Sequence, residues 1–195
     1  MNTKTINSRE VVTSALLIGI GIIIPLISPL KIILEPASFT LGSHVAIFIA
    51  MFISPISAVL VSLGTTLGFF ISGFPITVVL RAFSHIVFAY VGSVYIKKNS
   101  QKIKSLKSSI IFVLIISIIH ALCEVIVVIP FYINASLSAQ YYDQGFIKSV
   151  VLLIGVGTVL HSTLDYAVSR YIYSLIPTKI LSKINGNIIN YDERA

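Results

Sequence analysis

Residues 108–132, SSIIFVLIISIIHALCEVIVVIPFY, decide the fold of this chain. The run is longer than the roughly 20 apolar residues that a helix needs to cross the hydrocarbon core of a bilayer. It contains His120 and Glu124, which a spacing of four places on one face of a helix. Ionisable groups in a membrane helix are costly, so they normally face a protein interior or a water-filled cavity. The stretch therefore predicts a membrane span with a polar inner face.

The composition of the whole chain indicates an integral membrane protein. Of its 195 residues, 56% are hydrophobic and 11% are charged, whereas soluble domains have about 25% charged residues. The net charge of +7 does not predict nucleic-acid binding, because the basic residues cluster beside apolar spans. The single cysteine, Cys123, cannot form an internal disulfide. The first apolar run has no signal-peptidase site, and we expect it to be retained as a span.

Six apolar segments can be drawn along the chain. We therefore predict an all-α integral membrane protein, a compact bundle of six transmembrane helices. Span 2 is shorter than a crossing helix, so it could be lodged inside the bundle, and the division between spans 2 and 3 stays open. The predicted spans are residues 11–27, 43–53, 56–71, 75–96, 108–132 and 148–175.

The basic residues predict the orientation of the bundle. With six spans, the loop after span 4 and both termini lie on one side of the membrane. Positive charge favours the cytoplasmic side, so we predict that both termini are cytoplasmic. We expect one membrane domain over residues 1–182 and a polar cytoplasmic tail over residues 183–195. The basic residues on the predicted cytoplasmic side are Lys4, Arg9, Lys97, Lys98, Lys102, Lys104, Lys107, Lys179, Lys183 and Arg194.

Ionisable residues occur in pairs spaced four apart inside three of the spans. Each pair shares one helix face, so the three spans present polar faces to a common pocket. Depth follows from a rise of about 1.5 Å per residue. We expect His44, Arg81 and Glu124 in the outer third of the bundle, the other histidines nearer its middle, and Asp165 beneath the pocket in a structural role. The three pairs are Arg81/His85, His120/Glu124 and His161/Asp165.

Arg81 gives the sharpest prediction about a ligand. Its guanidinium group matches a carboxylate through two parallel hydrogen bonds, so we expect an anionic or carboxylate-bearing ligand. Aromatic rings could stack on a flat ligand. A second interpretation is that Arg81 and Glu124 form an ion pair that ties two spans together. The predicted substrate-binding residues are Arg81, His85, Glu124, His44, His161, Phe39 and Tyr132.

Small residues at helical spacing mark one face of span 1. Ala15 and Gly19 lie four residues apart, and small side chains at this spacing let helices approach closely. Such spacing is common in membrane helices. The functional interpretation is that Ala15 and Gly19 dock a partner subunit.

A longer pattern covers residues 37–85. It consists of ASFTLGSH at 37–44, IFIAMFISP at 47–55, GTTLGFF at 64–70 and RAFSH at 81–85. Together with the six spans, the long first outer loop and the small-residue face of span 1, this pattern resembles the S components of energy-coupling factor (ECF) vitamin transporters, and most of all the niacin type. The second small residue here is Gly19, where the family usually has alanine.

The resemblance implies a substrate-capture subunit in the bacterial cell membrane. Such a subunit binds a vitamin from outside with high affinity, under a cap formed by the first outer loop. It then associates with a membrane coupling protein of the EcfT type and two cytoplasmic ATPases. For niacin in its nicotinate form, Arg81 would bind the carboxylate, and His85, His161 or Glu124 would contact the ring nitrogen.

Motifs that are absent from the sequence argue against several other functions. There is no P-loop, so we do not expect this chain to hydrolyse ATP, and no enzyme is predicted. No H-E-x-x-H motif occurs, and we expect no metal and no cofactor. Alternatives are an S component for another vitamin such as pantothenate, a structural subunit, and a small proton-coupled carrier. In the carrier, Asp165, His161 and Glu124 would relay protons.

Overall fold

Nine helices and one β-hairpin make up residues 8–34 and 37–184, the part of the chain that this computed structural model describes. A π-helical segment, Ile147–Val156, runs directly into the eighth helix. The helices are α1 (Ser8–Ile27), α2 (Val45–Ile53), α3 (Pro55–Ile71), α4 (Ile76–Lys98), α5 (Ser100–Lys104), α6 (Leu106–Ile133), α7 (Ala139–Asp143), α8 (Gly157–Leu175) and α9 (Thr178–Ile184).

Four helical segments among the described residues are long and apolar enough to span a membrane. They are α1, α4, α6 and the continuous segment over residues 147–175, with lengths of 20 to 29 residues. The prediction of an all-α membrane protein is confirmed at this level. The count of six spans and the side on which the termini lie stay predictions.

Helix α2 is lodged inside the bundle. It has nine residues, or about 14 Å at the rise of an α-helix, which is less than half of the roughly 30 Å hydrocarbon thickness. Its sequence VAIFIAMFI is apolar on every side, and all nine residues are buried. Helices α1, α3, α4 and α8 surround it. The extended backbone of Ser54 separates it from α3, which begins at Pro55.

The loop between α1 and α2 folds as an antiparallel hairpin of β1 (Lys31–Leu34) and β2 (Ala37–Thr40), with Lys31 opposite Thr40. This short sheet was not predicted. After β2 the chain turns at Gly42, whose φ of +88° lies in the left-handed region that favours glycine. The turn leads into the first residue of α2. We call this end of the bundle the hairpin end and the opposite end the α5 end.

An apolar core fills the bundle toward the α5 end. Phe48 of α2 and Phe88 of α4 are fully buried, and their ring centroids lie 5.7 Å apart. Phe88 comes three residues after His85, about 4.5 Å along α4. The polar residues therefore lie between the hairpin and this apolar core. Residues 185–195, which make up most of the predicted tail, lie outside the described residues; α9 includes positions 183 and 184.

Candidate ligand-binding site

All four histidines of the chain meet at one place. His44 is central: its ring centroid lies 4.7 Å from that of His85, 4.8 Å from that of His120 and 5.0 Å from that of His161. These residues come from the start of α2, from α4, from α6 and from α8. The three ionisable pairs on the helices therefore form one polar cluster around His44.

Glu124 is a buried carboxylate that side chains from two other helices contact. Nη2 of Arg81 donates a hydrogen bond to Oε2 at 2.9 Å, and Thr158 Oγ1 donates to the same oxygen. Nε2 of His85 lies 3.3 Å from Oε1. Charge-assisted hydrogen bonds of this kind offset the cost of burying an ionised group. The ion pair of the second sequence interpretation is therefore present.

Asp165 is the second buried carboxylate, and it binds the turn after the hairpin. The backbone N–H of Gly42 donates to Oδ1 at 2.7 Å, and that of His44 donates to Oδ2 at 2.9 Å. Nδ1 of His44 and Nε2 of His161 lie 3.1 Å and 3.3 Å from Oδ2. One carboxylate on α8 thus fastens the turn to the helical bundle.

A cavity of about 40 Å³ lies among these groups, which is room for a few water molecules. Polar atoms of the cluster and three phenylalanine rings face it together. Its lining residues are Pro25, Ser38, Phe39, Thr40, Ser43, His44, Ile47, Thr65, Phe69, Phe74, Val78, Arg81, Ala82, His85, Glu124, Thr158 and His161.

A second cavity, of about 430 Å³, adjoins the first at the hairpin end. Ser38, Phe74 and Val78 line both cavities, so these three residues separate them. The second cavity lies between β2, the start of α4 and the end of α6, and its lining is mostly apolar. It provides an approach to the polar cluster from the hairpin end.

Six of the seven residues predicted for substrate binding line the smaller cavity: Arg81, His85, Glu124, His44, His161 and Phe39. Tyr132 does not line it. Its ring packs 5.0 Å from that of Tyr142 and 5.3 Å from that of Phe146. Tyr132 lies eight residues beyond Glu124 on α6, or about 12 Å along the helix, which places it nearer the hairpin end.

The predicted separation by depth is wrong for His44. It was expected in the outer third, apart from the other histidines, but its ring lies against all three of them and its Nδ1 lies 3.1 Å from Asp165 Oδ2. The reason is the turn at Gly42, which carries the chain inward before α2 begins, so that His44 reaches the level of His161. Asp165, expected beneath the pocket in a structural role, does not line the cavity and binds the turn.

Several cavity residues escaped the sequence analysis. Thr158 is the most informative, because it precedes His161 by three residues and Asp165 by seven, and so lies on the same face of α8. Helical periodicity could have identified it. Ser43 lies 3.0 Å through its Oγ from Nε2 of His161, but it belongs to a turn, where no periodic signal exists.

Ala15 and Gly19 lie on an outward face of α1. Ala15 is exposed, and a Cβ built on Gly19 meets no atom within 4 Å. Gly21 differs, since a Cβ there would lie 2.8 Å from Oγ1 of Thr65 on α3. The bare surface at residues 15 and 19 is thus not used to pack the described part of the chain, whereas Gly21 is needed for close packing of α1 on α3.

Two sets of side chains in the cluster have the composition of metal ligands. One is His44, His85 and His120, and the other is His44, His161 and Asp165. Within each set the potential ligand atoms lie within 4.8 Å of one another, and all of these residues are buried.

Comparison with known proteins identifies one curated relative. The chain is 37% identical over 192 residues to the niacin transporter NiaX of Lactococcus lactis subsp. cremoris (strain MG1363), and the match covers 96% of this chain and 85% of the relative. No family model and no solved structure matches the chain. The match extends over nearly the whole bundle and includes every residue range described for the site. The chain therefore belongs to the niacin-transporter family, the niacin-type S components that its sequence resembles, and is a multi-pass protein of the bacterial cell membrane.

Proposed function

We propose that this chain captures nicotinate in the cavity between the hairpin and the apolar core, as the substrate-binding S component of an ECF importer. The observation that carries the proposal is the buried guanidinium of Arg81, which lines a cavity together with three imidazoles. A planar ligand with a carboxylate and a ring nitrogen matches these groups. The similarity to a niacin transporter supports the same ligand.

Arg81 binds the nicotinate carboxylate in this proposal while Glu124 stays satisfied. Glu124 has partners besides Arg81, since Thr158 Oγ1 donates to Oε2 and His85 Nε2 lies 3.3 Å from Oε1. Arg81 can therefore turn toward a ligand without leaving a buried carboxylate unpartnered, a state that would cost several kcal/mol. Because the guanidinium of Arg81 would bind both Glu124 and the ligand carboxylate, ligand binding would change the Arg81–Glu124 ion pair.

The ligand ring would lie between imidazoles and phenylalanine side chains. A protonated ring nitrogen of His85 or His161 can donate to the pyridine nitrogen. Phe39 of β2 lies 5.7 Å from His161 between ring centroids, so it closes the ligand from the hairpin side. Because the cavity holds only about 40 Å³, a ring-sized ligand requires the hairpin to shift outward on entry.

The apolar core favours capture over proton-coupled transport. Phe88 stacks on His120 with ring centroids 4.2 Å apart, and Phe48 packs against Phe88 on the side facing the α5 end. A proton relay requires a chain of polar groups across the membrane, and these aromatic rings fill the space next to the cluster on its α2 and α4 side. Delivery would then need movement of the whole protein or of its partners.

Delivery to the cytoplasm is assigned in this proposal to a membrane coupling protein and two ATPases, with six spans and both termini cytoplasmic. The outward face at Ala15 and Gly19 would dock the coupling protein, because bare helix surface permits close approach. Gly19→Leu should leave nicotinate affinity unchanged and reduce copurification with the coupling module. Gly19→Ala is the matched control, and it should preserve the complex. Intact complexes with Gly19→Leu would exclude this face as the docking surface.

Binding titrations with paired ligands test the nicotinate proposal. We expect detergent-purified protein to bind nicotinate more tightly than nicotinamide or pantothenate. Replacing Arg81 with alanine should weaken nicotinate binding by about 10–100-fold, the equivalent of losing charge-assisted hydrogen bonds. Nicotinamide has no carboxylate, so its affinity serves as the control for an intact pocket. An unchanged nicotinate affinity in the variant would exclude the carboxylate role of Arg81.

A further inference from the structure

The histidine cluster has the arrangement of a metal site. Three of the histidines, His44, His85 and His120, come from different segments of the chain, so no short sequence motif contains them. Their potential ligand atoms nevertheless lie within 4.8 Å of one another. All three are buried, with exposed fractions of 7%, 7% and 0%. Three imidazoles at this distance, with a carboxylate beside them, are more than the recognition of one pyridine ring requires.

The hydrogen bonds of two of these rings match those of metal-bound histidines. A histidine that binds a metal through one nitrogen almost always donates the other N–H to a carboxylate, a carbonyl or another polar group. Nδ1 of His44 lies 3.1 Å from Asp165 Oδ2, and Nδ1 of His120 lies 3.2 Å from Ser162 Oγ. In both rings this leaves Nε2 for a metal.

Nε2 of His120 is a buried polar atom that makes no hydrogen bond to any described residue. It lies 3.4 Å from Oε1 of Glu124, a distance that brings it near the carboxylate without hydrogen-bond geometry. A buried polar atom without a hydrogen bond destabilises the folded protein. A ligand that accepts the lone pair of this nitrogen would remove this destabilisation.

We propose that His44, His85 and His120 bind one divalent transition-metal ion in this cluster. Imidazole ligands suit zinc, nickel, copper and iron, and they do not suit magnesium or calcium. Ligand nitrogens around a tetrahedral ion lie roughly 3.3 Å apart, given metal–nitrogen distances of about 2.0 Å. Because the potential ligand atoms lie up to 4.8 Å apart, they must approach one another by up to about 1.5 Å around the ion. A fourth position stays open for water or another ligand.

The set of His44, His161 and Asp165 is less suited to the ion. Asp165 already accepts backbone hydrogen bonds from Gly42 and His44 through both of its oxygens. A metal on this set would compete with the bonds that hold the turn. Nε2 of His161 also lies 3.0 Å from Ser43 Oγ, so its outward-facing nitrogen has a partner.

A dication also suits the charge of the described site. With neutral imidazoles, Glu124 and Asp165 bring two negative charges against the one positive charge of Arg81, all largely buried. A cation is therefore attracted to the cluster. If the proposed function holds, the negative net charge of the site would repel the anionic ligand. A bound dication would make the net charge of the site positive. This last step alone rests on the nicotinate proposal.

Titration with cobalt(II) tests the metal site. The full chain is purified without a polyhistidine tag, treated with EDTA, and titrated with Co²⁺ in the absence of nicotinate. We expect one Co²⁺ per chain and the visible absorption bands of a cobalt ion in a low-coordinate nitrogen environment. His120→Ala should weaken Co²⁺ binding by at least the 10–100-fold that is typical when even an outer hydrogen-bond partner of a ligand is removed.

Two further variants keep the test decisive if His120→Ala folds poorly. Ser162→Ala removes only the hydroxyl partner of His120, and it should weaken Co²⁺ binding by about tenfold. His161→Ala removes a histidine of the same cluster outside the proposed set, and it should retain Co²⁺ binding. Loss with His161→Ala and retention with His120→Ala would overturn the assignment, as would an absence of Co²⁺ binding in the unaltered chain.

Nicotinate titration of the same EDTA-treated protein separates the two proposals. Nicotinate binding without any Co²⁺ binding overturns the metal site and leaves the proposed function in place. Stoichiometric Co²⁺ binding without nicotinate binding, with or without the metal, supports the metal site and overturns the proposed function.

Discussion

Two buried carboxylates organise the polar cluster, and they differ in the groups that donate hydrogen bonds to them. Among the described residues, the carboxylate of Glu124 on α6 accepts hydrogen bonds from side chains, namely those of Arg81 and His85 on α4 and Thr158 on α8. Asp165 on α8 also accepts two backbone N–H groups from the turn that follows the hairpin. The first carboxylate joins long helices to one another, whereas the second joins the turn after the hairpin to the bundle.

This difference separates two properties, the stability of the helical bundle and the attachment of the hairpin to it. A pocket joined by helices keeps its shape whether or not the loop is closed. A loop held by one carboxylate can be released without dismantling the bundle. We therefore expect changes at Glu124 to affect global stability and changes at Asp165 to affect the hairpin first.

Replacing Glu124 with alanine should have the largest effect. The substitution removes the carboxylate that pairs with the buried guanidinium of Arg81, and breaking a buried pair typically costs about 3–5 kcal/mol. Thr158 and His85 lose a partner as well. We expect a clear fall in the melting temperature of the detergent-purified protein, measured by scanning fluorimetry of unfolding.

A double variant identifies the source of that loss. Arg81→Met combined with Glu124→Leu removes both charges and restores apolar volume, so it should recover much of the stability lost with Glu124→Ala. Nicotinate binding should stay weak, because Arg81 is absent. If the double variant is less stable than Glu124→Ala, the buried charge of Arg81 is not what destabilises the single variant.

Replacing Asp165 with asparagine should release the turn rather than the bundle. Two backbone hydrogen bonds lose their charged acceptor, at roughly 1.5 kcal/mol each by the lower end of the range for such bonds. Hydrogen exchange should become faster at the amides of Gly42 and His44. Amides within α4 and α6 should keep their protection. Equal acceleration in these helices would show that Asp165 supports the whole bundle, as Glu124 is expected to do.

Much of the helical part of the site could be predicted from the sequence. Spacing of four placed His85 beside Arg81 and His120 beside Glu124, because helical geometry fixes which side chains share a face. The rarity of ionisable residues in so apolar a chain then predicts that they converge on one site. The ion pair of Arg81 with Glu124 was one of two interpretations that the same pattern allowed.

The loop part of the site could not be predicted in the same way. The inward course of residues 41–44 depends on a left-handed Gly42 and on an acceptor, Asp165, more than 120 residues later in the chain. No local periodicity encodes such a contact. Tyr132 lies about two helical turns beyond Glu124 and does not line the smaller cavity, so its contact with a ligand stays a prediction.

A methyl group at Gly157 should disturb the hairpin with a smaller effect. A Cβ there would lie 2.7 Å from Cζ of Phe39, and overpacking of this kind costs about 2 kcal/mol. Phe39 would have to move with β2, so Gly157→Ala should weaken nicotinate binding more than it lowers the melting temperature. Gly155→Ala is the matched control, because its Cβ would lie 3.6 Å from Cγ2 of Val125 and 3.9 Å from the carbonyl oxygen of Val150, which are ordinary contact distances. If the two variants weakened nicotinate binding equally, contact with Phe39 would not be the cause.

Replacing Ser43 with alanine should have the smallest effect. Ser43 Oγ lies 3.0 Å from Nε2 of His161 and 3.3 Å from Nδ1 of His44, so it adds a hydroxyl contact to the same turn that Asp165 holds. With neutral partners such a hydrogen bond contributes about 1 kcal/mol, less than the loss of the charged acceptor. Hydrogen exchange at the amide of His44 should therefore rise less in Ser43→Ala than in Asp165→Asn. The reverse order would mean that the Ser43 hydroxyl, and not the Asp165 carboxylate, fastens the turn. The difference between the two carboxylates, Asp165 and Glu124, would then not explain how the turn is held.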